Sequence, residues 1–132
     1  VDAKSLQCLK NKGFTLIELL IVFIIVGLLS AIAIPIYRAN VKKVASSEGT
    51  ALLGTVLTAQ KLHYSEHNTY TVDKDILGID VSGNKYFRYY EIITADENGF
   101  VIRTIGTGIC DGIEVKMVYT NIAGATISFT GF

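Results

Sequence analysis

Asn11–Pro35 reads NKGFTLIELLIVFIIVGLLSAIAIP. Phe14 to Ile34 is 21 residues with one charge, Glu18. At about 1.5 Å per residue such a helix covers roughly 30 Å, the thickness of a hydrocarbon core. Isoleucine and valine are mediocre helix formers in water, but in lipid a helix satisfies every backbone group. A short polar head, Val1 to Gly13, precedes the run and carries Lys4, Lys10 and Lys12 against Asp2. Gly27 and Ala31 form a small-xxx-small pair on one helix face, a spacing that admits close approach of another helix and is also ordinary in apolar helices.

Pro35 ends the run. It lacks an N–H and clashes with the carbonyl four residues back, so it either stops a helix or kinks it. The residues that follow favour a kink. Apolar side chains fall at Val41, Val44, Ala45, Leu52, Val56, Ala59 and Leu62, in helical steps, with Lys42, Lys43, Ser46, Ser47, Thr50 and Lys61 between them. One kinked helix of about fifty residues is expected, apolar all round in its first half and amphipathic in its second. Gly49 and Gly54 should each weaken it by about 1 kcal/mol relative to alanine.

Beyond the helix the period changes to two. Glu66 to Lys85 is polar and turn-rich, a connecting loop with room for one short element. YFRYYEIITA (Tyr86 to Ala95), FVIRTI (Phe100 to Ile105), IEVKMVYT (Ile113 to Thr120) and ATISFTGF (Ala125 to Phe132) read as four strands of a meander. Asn98-Gly99 marks a hairpin turn, and Ile113, Val115, Met117 and Tyr119 share one face of the third strand. The amphipathic half-helix is the natural cover for the buried face of this antiparallel sheet. The expected class is α+β: a long kinked N-terminal helix packed on a C-terminal four-stranded antiparallel sheet.

The chain has 132 residues, half of them hydrophobic, and zero formal net charge. One domain plus an added element fits that length. Zero net charge with no dense basic patch gives no reason to infer nucleic-acid binding. Cys8 and Cys110 flank the apolar run; if the run spans a membrane they lie in different compartments, so a disulfide framework is not expected. Cys8 lacks a lipobox, since Gln7 precedes it.

KGFTLIELLIV resembles the processing site and membrane segment of type IV prepilins and type II secretion pseudopilins. The resemblance is dense over Lys12 to Pro35: a basic residue, the glycine, the phenylalanine, the TLIEL core and the closing proline. YSEHNTYT (Tyr64 to Thr71) is similar to wording at the helix end of many pilins. The resemblance implies a long helix with a sheet packed on it, agreeing with the pattern above. It implies a leader at 1–13, a transmembrane and assembly helix at 14–35, and a globular domain at 36–132 made of an amphipathic helix (36–64), a loop (65–85) and a sheet (86–132).

The resemblance further implies cleavage by a prepilin peptidase between Gly13 and Phe14, N-methylation of Phe14, and pairing of Glu18 with the N-terminal amine of an adjacent subunit. Pro35 would be the helix kink. The implied partners are further copies of the chain in a helical homopolymer, the peptidase, the inner-membrane assembly machinery, and the membrane itself before assembly. The implied location is the inner membrane, N-terminus in and C-terminus out, then a cell-surface or periplasm-spanning filament. A surface pilus and a secretion pseudopilus both fit. Family members often close a C-terminal loop with a disulfide, but from Phe14 onward this chain has only Cys110.

Local physics leaves two roles for Glu18. A charge in mid-bilayer costs about 3 kcal/mol on insertion scales and marks function by default. One turn inside a helix start, however, a carboxylate also favours the dipole and can snorkel to the interface. The motif favours the assembly role, because cleavage would create a positive amine on Phe14 as counter-charge. Gly13 is either a flexible helix cap or the small residue a scissile bond needs.

HYSEH (His63 to His67) spells H-x-x-E-H, in which two histidines bind zinc and the glutamate is a base. Such a site needs a third protein ligand and a cleft, so the solvated end of a helix is the expected reading. Asp73, Asp75, Asp80, Asp96 and Glu97 match no calcium-loop spacing. No enzyme, cofactor or metal is expected. The rival class is a secreted soluble domain cut by ordinary signal peptidase after AIA (Ala31 to Ala33), but the apolar segment is longer than the usual 7–15 or so residues and contains Glu18. A third reading is an anchored hydrolase built on His63, Glu66 and His67.

Overall fold

The computed structural model describes residues 13–132. Cys8 and the three lysines of the head lie outside the described residues. Two compact units are present, Val1–Arg38, described from Gly13, and Ala39–Phe132. Helix α1 runs from Leu16 to His67 with Pro35 inside it. Lacking an N–H, Pro35 leaves the Ala31 carbonyl without its helical partner.

In the second unit, α1 packs on a sheet of β1 (Tyr90–Ala95), β2 (Gly99–Ile105), β3 (Glu114–Thr120) and β4 (Gly124–Thr130). The strands pair antiparallel in chain order, so the expected α+β class holds. A bulge between Ile92 and Thr94 leaves Ile93 without a partner on β2. The core lies between the two layers: Leu52, Leu53 and Val56 of α1 meet Phe87, Ile102, Ile113, Val115 and Met117, all at most 5% exposed. The third-strand face is as the alternation predicts, with Ile113, Val115 and Met117 buried and Val118 outside.

The buried face of α1 differs from the apolar count. It runs through Ala45, Ser46, Gly49, Leu52, Leu53, Val56 and Gln60, while Val44 and Leu62 are exposed. Polar and small residues occupy it because their groups are satisfied locally. Ser46 Oγ donates to the Lys42 carbonyl at 2.8 Å. Gln60 Nε2 donates to the Thr71 carbonyl at 2.6 Å, and its Oε1 accepts the Thr71 N–H at 3.0 Å, so the side chain serves as a strand partner for the loop. Gly49 leaves room for the Phe87 ring and Val115, whose carbons would sit 3.0 Å from an added Cβ.

Tyr86 to Tyr89 are not strand. The Glu48 carboxylate accepts the N–H groups of Tyr86 and Phe87, which draws the segment toward the helix and drops Phe87 into the core. The expected loop holds one short helix, α2 (Lys74–Leu77), capped by Asp73 and closed by Gly78 at φ +59°. The first hairpin also departs from expectation. Asn98 and Gly99 are not among the positive-φ residues, as a type I′ turn at that pair would require. Instead the Asp96 N–H donates to the Gly99 carbonyl, and Asp96 Oδ1 accepts from Asn98 and Gly99. Gly99 is needed because a Cβ there would lie 2.1 Å from the Tyr119 carbonyl oxygen.

The turn end of the sheet is tied to the loop after α1. Tyr70 donates its hydroxyl to Asn121 Oδ1 at 2.7 Å, and Asn121 Nδ2 donates to the Glu97 carbonyl at 2.9 Å. The Tyr70 ring lies edge-on to Phe100, which stacks on Tyr119. Such contacts add about 0.5–1.5 kcal/mol each beyond their buried area.

Candidate functional site: the head of helix α1

The first unit is defined by what it leaves uncovered. Phe14 is 84% exposed, and Leu16 to Ile36 present their large apolar side chains outward. The richest window of α1 has a mean hydropathy of 3.0 with none of it buried. By length and composition it is long and apolar enough to cross a membrane.

The head of the helix is built by a local device. Thr15 is the residue before the first helical one, and Glu18 stands three positions on. The Glu18 Oε2 accepts the Thr15 N–H at 2.7 Å and the Thr15 hydroxyl at 2.8 Å, while the Glu18 N–H donates to Thr15 Oγ1 at 3.3 Å. This is a capping box, with each end of the T-x-x-E pair satisfying an orphan donor of the other. Among the described residues Glu18 has no ion-pair partner. Its carboxylate is therefore held by neutral donors, one residue away from Phe14. The sequence signal for this role of Thr15 is the T-L-I-E spacing before an apolar run.

Gly13 and Phe14 precede the helix in exposed chain without regular secondary structure, and an added Cβ at Gly13 would meet nothing within 4 Å. Pro35 lies about five turns further along α1, away from this cluster. The structure therefore brings Gly13, Phe14 and Glu18 together at one helix end, joined by Thr15, and leaves Pro35 apart.

The other candidates are placed elsewhere. His67 stands in the last turn of α1 and His63 one turn before it, and among the described residues no three His, Cys, Asp or Glu side chains form a group that could hold a metal ion. The loop acids are used in turns: Asp73 accepts from Asp75, Asp80 from Ser82, and Asp96 from Asn98 and Gly99. Cys110 is fully buried, and burial, followed by the nearby Glu48 charge, pushes its thiol above the usual range. A thiol so placed is inert rather than nucleophilic.

Comparison with known proteins bears on the same end of the chain. Residues 8–34 match a family described as the prokaryotic N-terminal methylation motif. The fimbrial protein EcpC of Eikenella corrodens is 37% identical over 108 residues, covering 80% of this chain and 71% of that protein. The type IV major pilin protein PilA of Myxococcus xanthus is 41% identical over 78 residues, covering 58% of this chain and 36% of PilA. PilE of Neisseria gonorrhoeae, also a type IV major pilin protein, is 34% identical over 97 residues, covering 74% of this chain and 58% of PilE. The aligned region thus spans well under two thirds of the length of those two pilins. On the methylation motif, the fold and these identities, the chain belongs to the family of type IV pilins and fimbrial proteins, which are structural subunits and not enzymes.

Proposed function

We propose that the chain is the subunit of a type IV pilus-like filament and that its activity is polymerisation. A prepilin peptidase cuts between Gly13 and Phe14 and N-methylates the new amine. Before assembly the helix spans the inner membrane with its N-terminus inside. The machinery then transfers it into a filament, where copies pack through the apolar part of α1. Glu18 exchanges its Thr15 bonds for the Phe14 amine of a neighbouring copy.

The observation that carries this reading is the exposed apolar surface from Phe14 to Ile36 with Glu18 as its one charge. No partner for that surface exists within the described chain. A membrane or a bundle of like helices covers it, and the buried carboxylate needs a buried cation in the second case. Cleavage at Gly13 supplies one. The continuity of α1 across Ala33 and Ile34 weighs against ordinary signal-peptide removal there, which would sever the helix in mid-course. The names of the relatives favour a pilus over a secretion pseudopilus. Mass spectrometry of the mature N-terminus tests the reading.

A further inference from the structure

The two edges of the sheet are built differently. β1 carries devices that keep an edge strand from pairing further: the bulge between Ile92 and Thr94, the charge of Glu91 held by Arg103 at 2.8 Å, and Lys74, whose Nζ donates to the Tyr90 carbonyl at 3.3 Å. β4 has none of these. From Asn121 to Phe132 the chain holds no charged residue and no proline, and β4 pairs with β3 in one unbroken register. Among the described residues, the backbone of Gly124–Thr130 makes no backbone bond to any segment but β3. Its outer row of N–H and C=O groups is a template for another strand.

The same edge lays bare part of a core face. Ala125, Ile127 and Phe129 stand beside Tyr119, Met117 and Val115, on the side of the sheet that α1 covers. Met117 and Val115 are buried, yet Ile127 is 36% and Phe129 45% exposed, so the cover that α1 gives β3 does not extend over β4. A hollow of about 350 Å³ remains between Lys43, Ser46, Ser47 and Thr50 of α1 and the rings of Phe129 and Phe132.

β4 is complementary to itself. An antiparallel pairing about a two-fold axis at Ile127 matches all seven of its residues. Phe129 then meets Ala125 of the second copy, large against small, and Thr126 meets Ser128, hydroxyl against hydroxyl. Centring the axis one residue to either side leaves two strand residues of each copy unmatched. No like charges meet across the axis, since the strand has none. The pairing also carries Ile122, fully exposed in the turn before β4, toward Phe132 and the hollow of the other copy.

We propose that a second copy of this chain covers the β4 edge, adding its own β4 antiparallel so that one sheet runs through both subunits. The contact lies within the second unit and uses no residue of the apolar surface around Glu18. A two-fold contact closes on itself, so it joins chains in pairs and is distinct from polymerisation through α1.

Oxidative cross-linking of the full chain in detergent micelles, with copper phenanthroline as oxidant, tests the proposal. In the proposed register the two copies of position 127 have Cα atoms about 4.5–5.5 Å apart, within disulfide reach. The two copies of position 130 stand roughly 20 Å apart along the strands. Most Ile127→Cys chains should therefore form dimers linked 127 to 127, and Thr130→Cys chains should remain unlinked at 130. Thr126→Cys and Ser128→Cys chains mixed together should link to each other more than either links to itself. All four side chains are exposed on β4, so an unchanged circular dichroism spectrum shows that the fold is kept, and peptide mapping separates these links from any through Cys8 or Cys110. Absence of the 127 link together with no preference in the mixture overturns the proposal, as does equal linking at 127 and 130.

Discussion

The Glu48 carboxylate of α1 accepts the backbone N–H groups of both Tyr86 and Phe87 through one oxygen, each at 2.8 Å. This bond pair joins the helix to the segment that enters the sheet, and it places the Phe87 ring over Gly49. Burial alone would raise the Glu48 carboxyl, but the N–H groups of Phe87 and Tyr86, helped by Arg88, hold it below its ordinary value. A carboxyl depressed in the folded state contributes stability above its unfolded pKa, and that stability is lost as pH falls through the folded one. Thermal melts of Glu48→Gln against the unsubstituted chain should therefore differ at pH 7 and converge below about pH 4. A gap that stays constant down to pH 3 contradicts this. Glu48→Ala should cost about 1–3 kcal/mol by stranding amide donors next to the core.

Gln60 makes a second prediction against hydrophobic intuition. The residue is fully buried, and its amide closes a two-bond ring with Thr71. Gln60→Leu adds apolar surface to the core but leaves a loop N–H and C=O without partners. A loss of about 1–3 kcal/mol is expected, roughly 4–8 °C in Tm per kcal/mol for a domain of this size. A higher Tm in that variant would remove the role assigned to the Thr71 bonds.

The two interior glycines of the amphipathic segment part company. An added Cβ at Gly54 meets nothing within 4 Å, whereas at Gly49 it meets Phe87 and Val115 at 3.0 Å. Gly54→Ala should stabilise the fold by about 0.5–1 kcal/mol through helix propensity alone. Gly49→Val should destabilise it by about 1–3 kcal/mol through overpacking. Chemical denaturation measures both, and equal responses would contradict the packing described.

The amino-acid pattern exposed the long helix, the four strands, their order and the inward face of β3, because each rests on periodic burial over many residues. It did not expose which stripe of α1 is buried. Ser46, Gly49 and Gln60 lie on that stripe for reasons of partner and space, so an apolar count drifts toward Val44 and Leu62. The start of β1 at Tyr90 rather than Tyr86 was likewise hidden, since the segment before it is held by Glu48, far away in the chain. The Asn98-Gly99 pair signalled the right hairpin for the wrong reason: its glycine is required by the Tyr119 carbonyl across the pair, not by a left-handed turn. At the helix head, the lone acid and the glycine were legible as exceptions within an apolar run. Thr15 was legible too, through its three-residue spacing to Glu18.

Glu18 itself carries the assembly prediction. Glu18→Ala removes an acceptor from the Thr15 capping box, and it lowers the cost of insertion in a bilayer. The variant should accumulate in the membrane and be processed normally, yet build few or no filaments. Shear preparations examined by electron microscopy, with total and processed protein measured alongside, test this. Normal filament yield would remove charge pairing from the account.

Filament assembly through the head of α1 requires that the mature chain begin at Phe14, because that cut creates the cation Glu18 lacks. Intact-mass and N-terminal fragment mass spectrometry of the protein purified from its native membrane or filament reads this directly. The account predicts a chain starting at Phe14 with one added methyl group on its amine. A chain starting at Ile34 would contradict it, since Glu18 and the apolar surface around it would then be absent from the mature protein.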